Sequence, residues 1–110
     1  MENLFSYGTL REENVQRTVF GRALDGVPDA IVGYRLEEVT ITGQNAIAIS
    51  GKSVHHILEP TGVHADQIEG TLFTISAQEL QRADAYEDAA YKRIKVRLRS
   101  GAGAWVYVRA

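Results

Sequence analysis

Two short segments of the sequence carry residue types that can bind an anion and move a proton. The segment LFSYGTLRE (residues 4–12) passes from an apolar run through Tyr-Gly-Thr into a charged stretch, and the segment DAYE (residues 84–87) ends on a glutamate. The start of a helix leaves backbone N–H groups without partners, and such groups bind carboxylates and phosphates. A carboxylate in apolar surroundings has a raised pKa, which suits a general acid/base working near neutrality.

The first segment has two interpretations. Thr9 followed three residues later by Glu12 is a capping-box pattern, and the start of a capped helix would explain these residues by itself. Alternatively, the N–H groups of the turn bind a small anion, and Gly8 lets that anion approach the backbone because glycine has no Cβ. The spacing alone does not decide between the two.

The second segment lies at the end of a predicted helix. At about 100° per residue, Glu87 lies about 20° from Leu80 around the helix axis, so an acid continues the apolar face. If the helix persists this far, Glu87 points at the core or at a pocket opening into it, whereas Glu79 faces solvent. If the helix frays near Tyr86, Glu87 lies in water or pairs with Arg93.

Taken together, the two segments resemble the γ-glutamylcyclotransferase-like superfamily, which includes avirulence-induced-gene proteins and γ-glutamylamine cyclotransferases. The motifs that carry the resemblance are Tyr7-Gly8-Thr9-Leu10-Arg11, Asp84-Ala85-Tyr86-Glu87 and Tyr91-Lys92-Arg93. The order of strands and helices also agrees over nearly the whole chain. The resemblance implies a mixed, barrel-like β-sheet with flanking helices.

The resemblance also implies a reaction and a set of site residues. The free α-amine of a γ-glutamyl amide attacks its own γ-carbonyl, which releases 5-oxoproline and an amine, with Glu87 as the catalytic acid/base. The residues implied to bind the substrate are Tyr7, Gly8, Thr9, Leu10 and Tyr91. No metal and no cofactor are expected, because proximity within one substrate already removes much of the barrier.

Two other classes of function are compatible with the sequence. The first is a non-catalytic module that binds a small carboxylate or a peptide end; retention of Glu87 argues against it, because a second negative charge weakens anion binding. The second is a structural domain without a ligand.

Substrate choice is expected to lie in residues 50–60, where Lys52, His55 and His56 either contact a leaving group or are exposed polar residues. Adjacent histidines on a strand face opposite ways, so we expect no shared metal.

Short strands are the main elements that position these residues. Apolar and alternating runs predict strands at residues 3–7, 33–41, 46–49, 68–75, 91–99 and 104–109, with the SGAG sequence as a hairpin loop between the last two. Helices are predicted from residue 10 to about residue 19 and at 77–86, the second opened by a capping box of Ser76 and Glu79. Residues 22–32 and 59–67 contain glycine and proline and are predicted to be irregular. About six strands and two helices predict an α+β fold whose sheet curls toward a barrel.

Composition limits the possible partners and the compartment. The 110 residues predict a single domain over 1–110, and a net charge of -2 with scattered charges argues against nucleic-acid or membrane binding. The lack of cysteine excludes disulfides, a thiolate nucleophile and sulfur-ligated zinc. The N-terminal sequence fits neither a signal peptide nor a membrane span. We therefore expect a cytoplasmic protein that acts on a small molecule; its oligomeric state is not predicted.

Overall fold

A computed structural model describes all 110 residues and contains seven strands and three α-helices. The strands are β1 (Glu2–Ser6), β2 (Gly26–Val32), β3 (Tyr34–Thr40), β4 (Val54–Pro60), β5 (Gln67–Ile75), β6 (Tyr91–Arg97) and β7 (Gly103–Arg109). The helices are α1 (Glu13–Phe20), α2 (Gln44–Ser50) and α3 (Ala77–Tyr86), and a single 3-10 turn (Thr9–Arg11) precedes α1.

The strands form one five-stranded sheet in the order β2-β5-β1-β7-β6 and a separate two-stranded β3-β4 hairpin. The β1-β7 pair is parallel and the others are antiparallel, so the sheet is mixed. The predicted α+β class is confirmed. The sheet has free edges at β2 and β6 and does not close into a barrel.

Side chains alternate between two apolar clusters on the two faces of the central strands. Leu4 and Tyr107 belong to the cluster beneath the helices, whereas their chain neighbours Phe5 and Val106 belong to the other cluster. This is the period of two that strands impose. Leu58 of the β3-β4 hairpin packs in the second cluster. The hairpin therefore covers the sheet face opposite the helices, and strands β1 and β7 are buried on both sides.

Helix α3 begins and ends as its sequence predicts. Ser76 Oγ accepts a hydrogen bond from the Glu79 backbone N–H at 3.1 Å, and Glu79 Oε1 accepts one from the Ser76 N–H at 2.9 Å, which is the predicted capping box. Its apolar face buries Leu80, Ala83 and Tyr86. The expectation that Glu79 faces solvent is wrong, because its carboxylate is buried in a two-bond ion pair with Arg22 at 2.8 and 3.0 Å. This pair lowers the pKa of Glu79 to about 2.

Three segments differ from the sequence prediction. Strand β4 (Val54–Pro60) is not among the predicted strands, and its last two residues lie in the segment 59–67 that was predicted to be irregular. Residues 46–49, predicted as a strand, lie in helix α2, where Ala46 and Ser50 are buried one turn apart. Residues 22–32, predicted to be irregular, contain strand β2, whose Pro28 is tolerated because β2 is an edge strand. None of the three α-helices is long and apolar enough to cross a membrane.

Candidate active site

A cleft of about 610 Å³ opens between the end of β1, the start of β4 and the segment that follows α3. All six site residues predicted from the sequence line it: Tyr7, Gly8, Thr9, Leu10, Glu87 and Tyr91. Lys52, His55 and His56 line it as well. Residues far apart in the chain, at its N-terminal end, middle and C-terminal third, therefore meet at one cavity.

The turn after β1 is held by its own side chains. Arg11 donates from Nη2 to the Tyr7 carbonyl at 2.8 Å, and its backbone N–H donates to the Gly8 carbonyl at 3.1 Å. The N–H groups of Thr9 and Leu10 are the first of this 3-10 turn and so have no partner inside it. The Gly8 N–H has only a long contact of 3.3 Å with Ser6 Oγ.

The predicted capping box of Thr9 and Glu12 is absent. Neither the 3-10 turn nor α1 has a side-chain cap, and α1 begins later, at Glu13. The Thr9 hydroxyl instead lies 2.6 Å from the Tyr86 hydroxyl, and the Glu12 carboxylate lies 2.8 Å from Lys52 Nζ. Both side chains are thus used in contacts across the cleft rather than to begin a helix.

Gly8 leaves space where a side chain would stand. A Cβ added at Gly8 would meet no atom within 4 Å, and its φ of -126° is one that any residue can adopt. Nothing inside the fold therefore requires glycine here. The missing side chain leaves the backbone of the turn accessible from the cleft.

Glu87 directly follows helix α3. The helix ends at Tyr86 because Glu87 has extended backbone angles, although its N–H still donates to the Ala83 carbonyl at 3.0 Å. Its carboxylate forms no hydrogen bond and no ion pair with another side chain. The expected alternative partner, Arg93, instead binds Asp84 through two bonds of 2.8 and 3.0 Å.

Burial raises the pKa of Glu87 to about 8, and the neighbouring carboxylates of Asp88 and Asp84 add to the shift. Those two acids are themselves satisfied: Asp88 accepts from the Gly43 N–H at 2.7 Å, and Asp84 accepts from Arg93. Glu87 is therefore a carboxyl group on the cleft wall that can take up or release a proton near neutral pH.

Four tyrosines lie close enough to this carboxyl group for its charge to affect their pKa values: Tyr7, Tyr86, Tyr91 and Tyr107. The Tyr7 hydroxyl donates to the Tyr107 carbonyl at 2.5 Å, and the Tyr91 hydroxyl donates to the His56 carbonyl at 2.6 Å. Burial, followed by smaller effects that include the charge of Glu87, raises the pKa of Tyr7 and of Tyr91 far above 10. These phenols remain neutral over the whole physiological range.

Tyr107 lines the cleft but was missed by sequence reasoning. Its hydroxyl donates to Asp84 Oδ1 at 2.7 Å. The alternation in AWVYVR places Tyr107 and Trp105 on one face of β7, so the strand pattern could have identified Tyr107.

Glu87, Tyr91 and Tyr107 also line a second, smaller cavity of about 430 Å³, which extends toward Arg93 and Trp105.

The two adjacent histidines point in opposite directions, as their strand predicts. His55 is buried and contacts Ser50 Oγ and the Lys52 carbonyl, each at 3.0 Å, whereas His56 is exposed. No three His, Asp or Glu side chains lie together in a way that could hold a metal ion.

Comparison with known proteins identifies the family. The family model of the gamma-glutamyl cyclotransferase, AIG2-like proteins matches residues 4–110, and the chain therefore belongs to this family. No curated protein sequence gives a match.

Solved structures share the fold at low sequence identity. A protein from Arabidopsis thaliana solved in solution is 23% identical, with a TM-score of 0.66 over 98% of this chain and 61% of that one. The structure of a gamma-glutamyl cyclotransferase is 12% identical, with a TM-score of 0.77 over 99% of this chain and 66% of that one. An uncharacterised protein from Homo sapiens is 15% identical, with a TM-score of 0.74 over 99% and 66%. The chain thus spans between three fifths and two thirds of the length of these proteins.

Proposed function

We propose that the protein cyclises a γ-glutamyl amide to 5-oxoproline and releases an amine or amino acid. The observation that carries this proposal is Glu87: a carboxyl group with a pKa of about 8 and no partner, on the wall of the same cleft as the turn Tyr7–Leu10. Membership of the family supports the same reaction class.

The turn binds the glutamyl end of the substrate. The N–H groups of Thr9 and Leu10, which lack partners inside the 3-10 turn, donate to the substrate carboxylate, and Gly8 allows this contact because it has no side chain. The guanidinium of Arg11 fixes the carbonyls of Tyr7 and Gly8, so the turn is held in place before the substrate arrives. Preorganised donors of this kind need no rearrangement during the reaction.

Glu87 moves the proton. Its carboxylate takes a proton from the substrate α-amine as the amine nitrogen bonds to the γ-carbonyl carbon and closes the five-membered ring. The resulting carboxylic acid then gives this proton to the leaving nitrogen as the original amide bond breaks. Glu87 ends in its starting state, and both reacting groups come from one substrate, so the chemistry consumes no second reactant.

A purely carboxylate-binding module fits the site less well. Such a module needs only the donors of the turn and has no use for the unpaired carboxyl group of Glu87. The enzyme proposal gives that carboxyl group, and its raised pKa, a role.

The test is to incubate the protein with a panel of γ-glutamyl amides and to measure 5-oxoproline by mass spectrometry. Each amide is paired with its α-N-acetyl derivative, whose blocked nitrogen cannot attack the γ-carbonyl. We expect 5-oxoproline from at least one free amide and none from its acetylated partner. Formation of glutamate instead would indicate hydrolysis, and no product from any amide would contradict the proposal.

A further inference from the structure

The cleft is larger than a glutamyl group requires, and its remaining wall is charged. Besides the turn and Glu87, its lining includes Glu12, Lys52 and the start of β4. A substrate whose glutamyl end lies on the turn has its scissile amide at Glu87. The amine part, on the other side of that amide, then has to lie in the rest of the cleft, whose lining includes Lys52.

Lys52 is the cation of this cleft that remains available for a ligand. The other cleft cation, Arg11, already donates to the carbonyls of Tyr7 and Gly8. Lys52 Nζ has one contact, the Glu12 carboxylate at 2.8 Å, and an ammonium group has three N–H bonds to donate. Both side chains of this pair are partly exposed, 54% for Lys52 and 34% for Glu12, so a ligand can replace or join the contact at little cost.

The backbone that carries this lysine is fixed on both sides. Ser50 Oγ accepts from the Lys52 N–H at 3.2 Å and contacts the Lys52 carbonyl at 3.2 Å. Nε2 of the buried His55 also lies 3.0 Å from this carbonyl. Lys52 lines the cleft, and this fixed backbone limits the positions that its side chain can reach.

We propose that Lys52 is a specificity-determining residue that binds a carboxylate on the amine part of the substrate, so that γ-glutamyl amino acids are preferred over γ-glutamyl amines. His55 and Ser50 act as positioning residues for this lysine. The inference rests on the proposed cyclisation and adds to it the charge of the leaving group.

The test compares two substrates of equal size, γ-glutamyl-alanine and γ-glutamyl-alaninamide, which differ only in the carboxylate. For the parent protein, kcat/KM is expected to be higher for the alanine compound. In Lys52→Gln this preference should fall by roughly three- to tenfold, as expected for a half-exposed charged contact. Lys52→Arg should retain most of the preference, and Lys92→Gln, which removes an exposed lysine outside the cleft, should leave both values unchanged.

The possible failures are distinguishable. Suppose that the parent protein forms 5-oxoproline but that Lys52→Gln lowers kcat/KM equally for both substrates, or for neither. The role of Lys52 is then contradicted and the cyclisation stands. If the parent protein forms 5-oxoproline from no γ-glutamyl compound, the proposed function itself fails, and this inference fails with it.

Discussion

The hydroxyl groups of Thr9 and Tyr86 lie 2.6 Å apart and join the turn after β1 to the last residue of helix α3. Tyr86 is buried and is followed directly by Glu87. This hydrogen bond therefore links the proposed substrate-binding turn to the residue that precedes the proposed acid/base.

We expect this contact to couple the two residues energetically. Tyr86→Phe and Thr9→Val each remove the hydrogen bond, and each should lower the free energy of unfolding by about 1 kcal/mol. Once one hydroxyl is gone, removing the other should lower the free energy of unfolding much less. The loss in the double variant should therefore be smaller than the sum of the losses in the two single variants. Denaturant unfolding of the three variants measures this, and strictly additive losses would contradict the coupling.

Gly8→Val should abolish substrate binding without unfolding the protein. The new side chain meets no protein atom near its Cβ and takes space beside the turn N–H groups. Gly70 provides a contrasting control, because a Cβ there would lie 2.5 Å from both the Phe5 ring and the Ser6 carbonyl. Thermal unfolding should therefore show Gly70→Ala destabilised and Gly8→Val close to the parent. A Gly8→Val variant with normal KM would exclude the turn as the binding site.

The pKa of Glu87 predicts the pH dependence of activity. Only the ionised carboxylate accepts a proton, so kcat/KM should rise as the pH increases through about 8. A pH profile that is flat between about pH 6 and pH 9 would contradict this assignment.

The stability of the protein should also depend on pH through the carboxyl group of Glu87, but it should fall as the pH rises, whereas activity should increase. The pKa of Glu87 is raised from 4.5 to about 8 on folding, so its contribution to stability is fully present below about pH 4.5 and is lost as the pH rises through 8. Glu87→Gln has no such loss. The Tm of Glu87→Gln relative to the parent should therefore increase between about pH 5 and pH 9, whereas a constant difference would indicate an unshifted surface carboxyl group.

No metal is expected at His55 and His56, because the two side chains leave opposite faces of β4. Chelators should leave both Tm and turnover unchanged. Elemental analysis that finds a stoichiometric metal would overturn this prediction.

Strong local patterns allowed part of the fold to be predicted from the sequence. The capping box at Ser76 and the apolar face of Leu80 and Ala83 defined α3 at 77–86, as the structure has it. By contrast, the short apolar run in residues 46–49 does not distinguish a strand from a helix, and tertiary packing decides in favour of a helix. Strand β2 was missed because Pro28 indicates a turn unless the edge position of the strand is known.

The candidate site, like the fold, could be predicted only in part from the sequence. Gly8, Thr9 and Glu87 could be selected from local chemical signals, such as the missing side chain of Gly8. Tyr7, Leu10 and Tyr91 were selected through the resemblance to the family. The partners of these residues could not be selected: Thr9 contacts Tyr86 77 positions away, and Glu12 contacts Lys52 40 positions away. Only the folded chain brings these pairs together.

The most direct test of the account is the turnover of Glu87→Gln on a γ-glutamyl amide that the parent protein accepts. Glutamine keeps the shape of the side chain but cannot take up the proton of the amine, so 5-oxoproline formation should fall by about 100-fold or more while the substrate still binds. Glu13→Gln, which neutralises an exposed glutamate on α1, should retain parental turnover. Parental turnover in Glu87→Gln itself would contradict the role of Glu87 and, with it, the mechanism proposed for this protein.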